Sequence, residues 1–222
     1  MSNFHKYILY LLLFLSFNSN AELKWEQKAN FRGSGRHRGT GFSIKDKGYI
    51  GLGHINSVVN IPFADNWEYD PATDTWSQKA DYPTGGNYGA ACFTIDDKAY
   101  VGNGVYSNGE FYSFDPINNE WEQIANCPNT SSEATGFSIN GKGYFAANNE
   151  LYEYNPNNDS WSIKASPPSS LGLWISSFTI GGNGYVLSGG NLYEYKQSVD
   201  NWSTRKPIPN GVTGGAAAFA IN

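Results

Sequence analysis

Six side chains in this sequence have the chemistry of a binding or catalytic site. Arginines hold a carboxylate or sulfate through forked hydrogen bonds, exposed aromatic rings stack on a sugar face or anchor a protein, and one acid with one base can move a proton. The candidate ligand-binding residues are Arg36, Arg38, His54, Tyr88, Glu133 and Trp174. The sequence contains no nucleophile elbow, phosphate loop or paired Cys-x-x-Cys. It therefore predicts no catalytic residue, no metal site and no cofactor.

Charge and composition narrow the class of protein. The chain has 15 Lys+Arg against 20 Asp+Glu, and its basic residues form no run beyond "RGSGRHR". Nucleic-acid binding needs a phosphate-neutralising basic surface, so we expect no nucleic-acid partner. The 16% aromatic residues and 25 glycines are typical of many short strands joined by tight turns.

The first residues have the pattern of an export signal. The apolar run "YILYLLLFLSF" is followed by "NSNA", which places small residues at the positions of a signal-peptidase site. The run is about half of the roughly 20 residues that cross a bilayer. We predict a cleaved signal peptide at residues 1–21, a mature domain at residues 22–222 with no membrane span, and a secreted or periplasmic location. A short uncleaved anchor is the alternative.

An internal repeat determines the predicted fold. A phenylalanine followed two residues later by isoleucine occurs five times, at Phe42, Phe93, Phe137, Phe178 and Phe219. In the first four copies a tyrosine stands seven residues after the phenylalanine, and a second aromatic residue is followed by tryptophan seven residues later. Each unit thus predicts four short antiparallel strands, of the types "GTGFSI", "KGYIGLG", "NWEYD" and "TWSQKA". Small residues before the phenylalanine let each first strand nest against the next copy, which predicts an all-β propeller. The repeated tryptophan is predicted to be a core element and not part of a reactive site.

The spacings also predict where a site lies. The spacing from the second-strand tyrosine to the third-strand aromatic residue that precedes the tryptophan is 20, 14, 10 and 10, whereas the spacings from phenylalanine to tyrosine and from third-strand aromatic residue to tryptophan are constant. Length variation therefore falls on one face of the propeller, formed by the loops between strands 2 and 3 and between strand 4 and the next strand 1. Loops on a rigid scaffold carry function, so this face is the candidate site.

The repeat resembles the kelch repeats of exported bacterial propellers that are compared with the central domain of galactose oxidase. The resemblance rests on the Tyr, Asp-Pro and Trp positions and on second strands that end in glycine. A copper site of the galactose oxidase type would need two histidines and a tyrosine linked to cysteine, and nothing marks Cys92 or Cys127 for that bond. The sequence favours a non-catalytic binding propeller for a glycan or another exported protein. The alternative is a sugar epimerase or mutarotase similar to the kelch-type sialic acid epimerase, with Glu133 and His54 or His37 as acid and base.

The two ends of the mature chain predict an incomplete ring. The chain opens on a fourth strand, "LKWEQKA", and stops after a first strand, "GGAAAFAIN". We expect four complete blades plus strands 4 and 1 of a fifth, in a truncated form of a longer propeller. The alternative is a ring completed by another chain. A disulfide between Cys92 and Cys127 is left open, with two buried thiols as the favoured state.

Overall fold

Four antiparallel four-stranded sheets, here called blades, make up the fold. The computed structural model describes residues 25–209, 211 and 214–220; the predicted signal peptide lies outside the described residues. The first blade and its inserted hairpin contain β1 (Thr40–Ile44), β2 (Lys47–Gly51), β3 (His54–Asn56), β4 (Asn60–Pro62), β5 (Asn66–Asp70) and β6 (Thr75–Lys79). The second blade contains β7 (Ala91–Ile95), β8 (Lys98–Gly102), β9 (Phe111–Asp115) and β10 (Glu120–Ile124).

The other two blades follow the same plan. The third contains β11 (Thr135–Ile139), β12 (Lys142–Ala147), β13 (Glu150–Asn155) and β14 (Ser160–Ile163). The fourth contains β15 (Ser176–Ile180), β16 (Asn183–Ser188), β17 (Asn191–Lys196), a 3-10 turn (Gln197–Val199) and β18 (Asn201–Arg205). Each blade is a meander of consecutive strands, except that the hairpin β3–β4 is inserted between β2 and β5. The predicted propeller of four complete blades is confirmed. In the described residues, no helix is long and apolar enough to cross a membrane.

The two constant spacings of the repeat are cross-strand pairs. The phenylalanine of the first strand lies opposite the tyrosine of the second, as in Phe137 with Tyr144, and the two rings stack with centroids 5.1 Å apart. The third-strand aromatic residue lies opposite the tryptophan, as in Tyr154 with Trp161. The first-strand ring also abuts the next blade, because Phe93 packs against Gly143, where a β-carbon would overlap the ring. The aromatic core thus lies between blades as well as within them.

The first strands nest against one another as predicted. In the second and fourth blades, the side chain of the residue before the phenylalanine contacts the backbone of the corresponding residue in the preceding blade. The Cys92 Sγ lies 3.4 Å from the Gly41 carbonyl oxygen, and the Ser177 hydroxyl donates to the Gly136 carbonyl at 2.8 Å. Small residues are needed here because the first strands approach closely around the axis.

The repeated tryptophan and the acidic residue before it clamp one blade to the next. In the third blade, the Trp161 Nε1–H donates to the Ala125 carbonyl at 2.8 Å. The Asp159 carboxylate accepts from the Ala125 N–H and from the Tyr154 hydroxyl, each at 2.8 Å. Ala125 directly follows β10, so both contacts to it cross between blades. The same tryptophan bond joins Trp76 to Ala29, Trp121 to Ala80 and Trp202 to Ala165.

The two terminal segments differ from the expected strands. Residues 25–36 and 214–220 have no strand assignment, and the Trp25 side chain is fully exposed. A strand needs a hydrogen-bonded neighbour, and the predicted strands 4 and 1 are separated by two strand positions. Ala29 nevertheless accepts the Trp76 clamp, so this segment occupies the position of a fourth-strand end.

Candidate functional site

A ring of five residues surrounds the central axis where the chain enters the first strand of each unit. Its members stand four positions before the repeated phenylalanine: Arg38, Gly89, Glu133, Trp174 and Gly215. All five have positive φ, between 56° and 90°. From Gly89 onward, each backbone N–H donates to the carbonyl of the preceding member, so four hydrogen bonds of 3.0, 2.9, 3.1 and 2.9 Å join the five residues in order. Positive φ is uncommon outside glycine and often marks functional positions. The ring brings three long side chains from different blades to one level of the axis.

Arg38 and Glu133 form an ion pair within this ring. Arg38 Nη1 lies 3.1 Å from Glu133 Oε1, with the side chains 31% and 9% exposed. Although the charges are close, Oε1 makes no aligned hydrogen bond within the described residues. The contact is therefore electrostatic. A buried oxygen without a hydrogen-bond donor is a place where a ligand hydroxyl or a water binds.

Two aromatic rings flank the Arg38 guanidinium. Its central carbon lies 5.2 Å from the Trp174 ring centroid and 5.8 Å from that of Tyr88. Both distances are within cation–π range, so the rings favour a fixed position for the guanidinium. Trp174 is 45% exposed, which leaves part of the indole available to a ligand.

Two groups at the mouth have pKa values displaced in opposite directions. Burial raises the pKa of the Glu133 carboxyl above its ordinary value, and the charges of Arg38 and His54 offset only part of that effect. His37 is exposed, and slight desolvation of its ring, followed by the charges of His54 and Arg38, lowers its pKa. The carboxyl therefore holds its proton to higher pH than usual, and the imidazole releases its proton at lower pH.

Three rings are stacked beside the ion pair. The His37 and His54 rings lie 4.0 Å apart, and the His54 and Tyr88 rings lie 3.7 Å apart and almost parallel. His54 Nδ1 is hydrogen-bonded to Asn60 Oδ1, while the Asn60 amide donates to the hydroxyls of Tyr88 and Tyr106 at 3.3 and 3.2 Å. The other ring nitrogen of His54, Nε2, is buried and has no hydrogen-bond partner in the described residues.

A channel of about 690 Å³ runs along the axis from this ring. The side chains of His37, Arg38, Glu133 and Trp174 lie at its mouth. Its wall consists largely of small residues: Gly39, Gly41, Ala90, Cys92, Ala134, Gly136, Ser177, Ala216 and Ala218. Both cysteines are free thiols, with Cys92 half-buried in this wall and Cys127 buried elsewhere. The channel provides room for a small ligand directly beside the ion pair.

A second cavity of about 310 Å³ lies on the other side of Trp174. Its polar lining comes from uncharged groups such as Ser169, Ser170, Asn191 and Tyr193. Among the described residues, its lining includes no carboxyl, imidazole or other charged side chain, so it lacks the proton-transfer groups found at the channel mouth. The channel mouth is therefore the candidate functional site.

Arg36 has a different environment from Arg38, although only one residue separates them. Its guanidinium is paired with both carboxylate oxygens of Asp65 and donates to the Leu52 carbonyl at 3.1 Å. Its side chain is only 5% exposed, and the Phe63 ring lies 4.3 Å away. These contacts occupy the guanidinium, so we leave Arg36 out of the candidate site.

The structure thus brings five of the six predicted residues together. Arg38, Glu133 and Trp174 lie in the ring, and His54 and Tyr88 stack behind His37. The sequence reasoning did not single out Asn60, Tyr106 or Gly89. For Gly89 a signal existed, because it stands at the same distance from the repeated phenylalanine as Arg38 and Glu133. Asn60 and Tyr106 carried no such signal because they lie in loops of unequal length.

In the part of the chain that the structure describes, no group of three or more His, Cys, Asp or Glu side chains could hold a metal ion. The arrangement at the channel mouth is a partly exposed arginine beside a buried carboxyl, an imidazole and an indole. It can bind an acidic ligand and exchange protons with it.

No protein-family model matches this sequence, and no curated protein is similar to it. Among solved structures, that of YjhT is similar to this chain with a TM-score of 0.69 and 19% sequence identity. The likeness covers 81% of this chain and 68% of YjhT. At this identity it shows the fold alone, which is a β-propeller. The kelch assignment of the repeat and the export of the chain stay predictions.

Proposed function

We propose that the channel mouth binds an acidic sugar and interconverts its anomers, which makes the protein a sugar mutarotase. The observation that carries this proposal is the position of Glu133, a buried carboxyl that is ion-paired with Arg38 through an oxygen without an aligned hydrogen bond, at the same mouth as His37. The sequence itself favours a non-catalytic binding propeller. The geometry of the site favours the enzymatic alternative, because it places a carboxyl, Glu133, and an imidazole, His37, at one channel mouth beside Arg38.

Arg38 is the anion-binding residue in this proposal. Its guanidinium is partly exposed and oriented by two rings, so a ligand carboxylate can approach it from the channel. When Glu133 is protonated, it no longer neutralises Arg38. The raised pKa of Glu133 therefore supports both anion binding and proton donation.

His37 and Glu133 are the proposed base and acid. The base removes the proton of the anomeric hydroxyl while the acid protonates the ring oxygen, and the ring C–O bond breaks to give an open-chain carbonyl. Rotation beside the carbonyl presents its other face, and the reverse steps close the ring as the other anomer. The reaction consumes nothing. A lowered pKa keeps the imidazole available as a base, and a raised pKa lets the carboxyl keep its proton to higher pH than an ordinary glutamate.

The resemblance of the repeat to the kelch-type sialic acid epimerase suggests the sugar to test first. N-acetylneuraminic acid has a carboxylate next to its anomeric carbon, so a carboxylate held by Arg38 places the reacting hydroxyl near the acid and base. The exported location predicted from residues 1–21 would give the protein access to glycans outside the cytoplasm.

The test is an NMR measurement of anomer exchange in N-acetylneuraminic acid with and without the full-length protein. We expect faster exchange with the wild type and a loss of at least about tenfold in Glu133→Gln, because acid–base catalysis contributes roughly 10²- to 10⁴-fold. Glu120→Gln is the matched control, since Glu120 is exposed at the start of the outer strand β10. Its exchange rate should equal that of the wild type.

Two results would overturn the proposal. The first is a wild-type protein that leaves the exchange rate unchanged, and the second is an accelerated rate that survives in Glu133→Gln. Saturable binding of the sugar that is lost in Arg38→Ala, without any acceleration, would instead support the non-catalytic binding propeller.

A further inference from the structure

Gly89 lies between Arg38 and Glu133 in the axial ring. Its N–H donates to the Arg38 carbonyl at 3.0 Å, and its carbonyl accepts from the Glu133 N–H at 2.9 Å. The two charged residues are therefore not ring neighbours. Their side chains meet because the Glu133 side chain crosses the position of Gly89.

The Glu133 carboxyl group occupies the space that a side chain at position 89 would need. A β-carbon on Gly89 would lie 2.7 Å from both Cδ and Oε1 of Glu133, and 3.1 Å from Oε2. Real β-carbons almost never approach other atoms more closely than 3.0 Å. Any residue other than glycine at position 89 would therefore force this carboxyl group to move.

Backbone conformation alone does not explain the glycine. Gly89 has a φ of 65°, but Arg38, Glu133 and Trp174 adopt 56°, 58° and 57° at the equivalent ring positions. The ring thus accepts non-glycine residues at this φ in three of five places. What distinguishes position 89 is the carboxyl group lying against it.

We propose that Gly89 is a positioning residue of the candidate site, whose missing side chain lets the Glu133 carboxyl group lie across the ring against Arg38. Its consequence for catalysis rests on the proposed function, whereas its effect on Glu133 does not. With a β-carbon at position 89, Glu133 turns toward the channel and separates from Arg38. The carboxyl group then loses the burial that favours its protonated form.

The test compares Gly89→Ala with Gly215→Ala. Gly215 is the matched control because it belongs to the same ring and has a φ of 90°, but a β-carbon there meets no atom within 4 Å. Both alanines carry the strain of positive φ, but only the first displaces the carboxyl group. Gly89→Asn is a second variant, since asparagine tolerates positive φ better than alanine and still has a β-carbon.

The first readout is the ¹³C NMR titration of the Glu133 carboxyl carbon, assigned by its disappearance in Glu133→Gln. The groups that act on this titration are Arg38 and His54. We expect the Glu133 midpoint to shift downward, toward the ordinary range of a glutamate, in Gly89→Ala and Gly89→Asn, and to stay at the wild-type position in Gly215→Ala. A wild-type midpoint in both position-89 variants would overturn the inference.

The second readout is the pH profile of anomer exchange. The part of this pH profile that follows the ionisation of Glu133 should move to lower pH in the position-89 variants. At neutral pH, the loss in kcat should exceed any change in KM. If the wild type does not accelerate exchange, the proposed function fails while the titration still decides the role of Gly89. If exchange is accelerated and both readouts are unchanged by Gly89→Asn, the positioning role fails while the proposed function stands.

Discussion

Removing one carboxylate from the third blade should loosen its attachment to the second blade. Asp159 accepts hydrogen bonds from the Ala125 N–H and the Tyr154 hydroxyl, both at 2.8 Å. It also holds a positive φ of 48° at the turn between β13 and β14. Asp159→Ala removes both bonds, places alanine in a left-handed conformation and leaves the Ala125 N–H without its acceptor.

The expected loss of stability follows from these contacts. Hydrogen bonds to a charged group contribute about 1.5–3 kcal/mol each, and the exposure of Asp159 places its two bonds near the lower figure. The left-handed conformation costs alanine about 1 kcal/mol more. The sum is about 4 kcal/mol, which corresponds to a fall in Tm of roughly 10 °C for a domain of this size. Asp159→Asn keeps an acceptor oxygen, as Asn119 does for the Ala80 N–H in the second blade at 2.8 Å, so its loss should be about 1 kcal/mol or less.

Thermal and urea unfolding followed by circular dichroism would measure these differences. The matched control is Asp96→Ala, because Asp96 has a φ of 51° at the turn between β7 and β8 but makes no side-chain hydrogen bond within the described residues. It should lose only the strain contribution of about 1 kcal/mol. Equal losses of unfolding free energy in Asp159→Ala and Asp96→Ala would refute the clamp, because they would mean that the two hydrogen bonds of Asp159 contribute nothing to stability.

Three further results are expected. Gly143→Ala should lower the free energy of unfolding by about 1–3 kcal/mol, because its β-carbon meets a buried phenylalanine ring. Gly48→Ala is the control at the same position of the first blade; its β-carbon meets no atom, so equal unfolding midpoints of the two variants in urea would contradict the prediction. Thiol alkylation followed by mass spectrometry should show that Cys92 is modified before Cys127, because of the two cysteines only Cys92 borders the channel. Burial raises the pKa of the Cys92 thiol to about 11 and slows its reaction, but faster labelling of Cys127 would argue against the channel. Because burial raises the pKa of Glu133 in the folded state, the stability that its protonated form contributes is present below the unfolded-state pKa and is lost as pH rises through the folded-state pKa. Glu133→Gln should therefore flatten the plot of unfolding free energy against pH in that range, and an unchanged slope of this plot would count against a buried carboxyl.

The repeat illustrates how much of the fold lies in local pattern. A spacing of seven between aromatic residues predicts a hairpin because it places the two residues directly opposite each other, and the register of Phe137 with Tyr144 confirms this. The role of the tryptophans was predicted less completely. Trp161 is only partly buried, and its Nε1–H bonds to the Ala125 carbonyl in the preceding blade. That contact joins residues 36 positions apart, so no local spacing reveals it.

The location of the candidate site, like the fold, could be predicted in part from the sequence. Unequal loop lengths indicate the functional face, since variable loops lie where the scaffold imposes least constraint. The inserted hairpin β3–β4 lies on this face and contributes His54 and Asn60. The sequence could not predict which of the candidate residues come together at the channel mouth, because that depends on the direction in which each loop leaves its blade.

The sequence by itself determined the strand pattern, the four blades, the small residues between first strands and the face that carries the long loops. These follow from periodicity and side-chain size, which are local properties. Tertiary structure alone decided that Arg36 is held by Asp65 in the interior while Arg38 reaches the channel, and that Gly89 provides the space for the Glu133 carboxyl group. The physical reason is that a left-handed backbone and a hydrogen-bonded ring around the axis set the direction of each side chain. The ring forms only when residues from different blades meet.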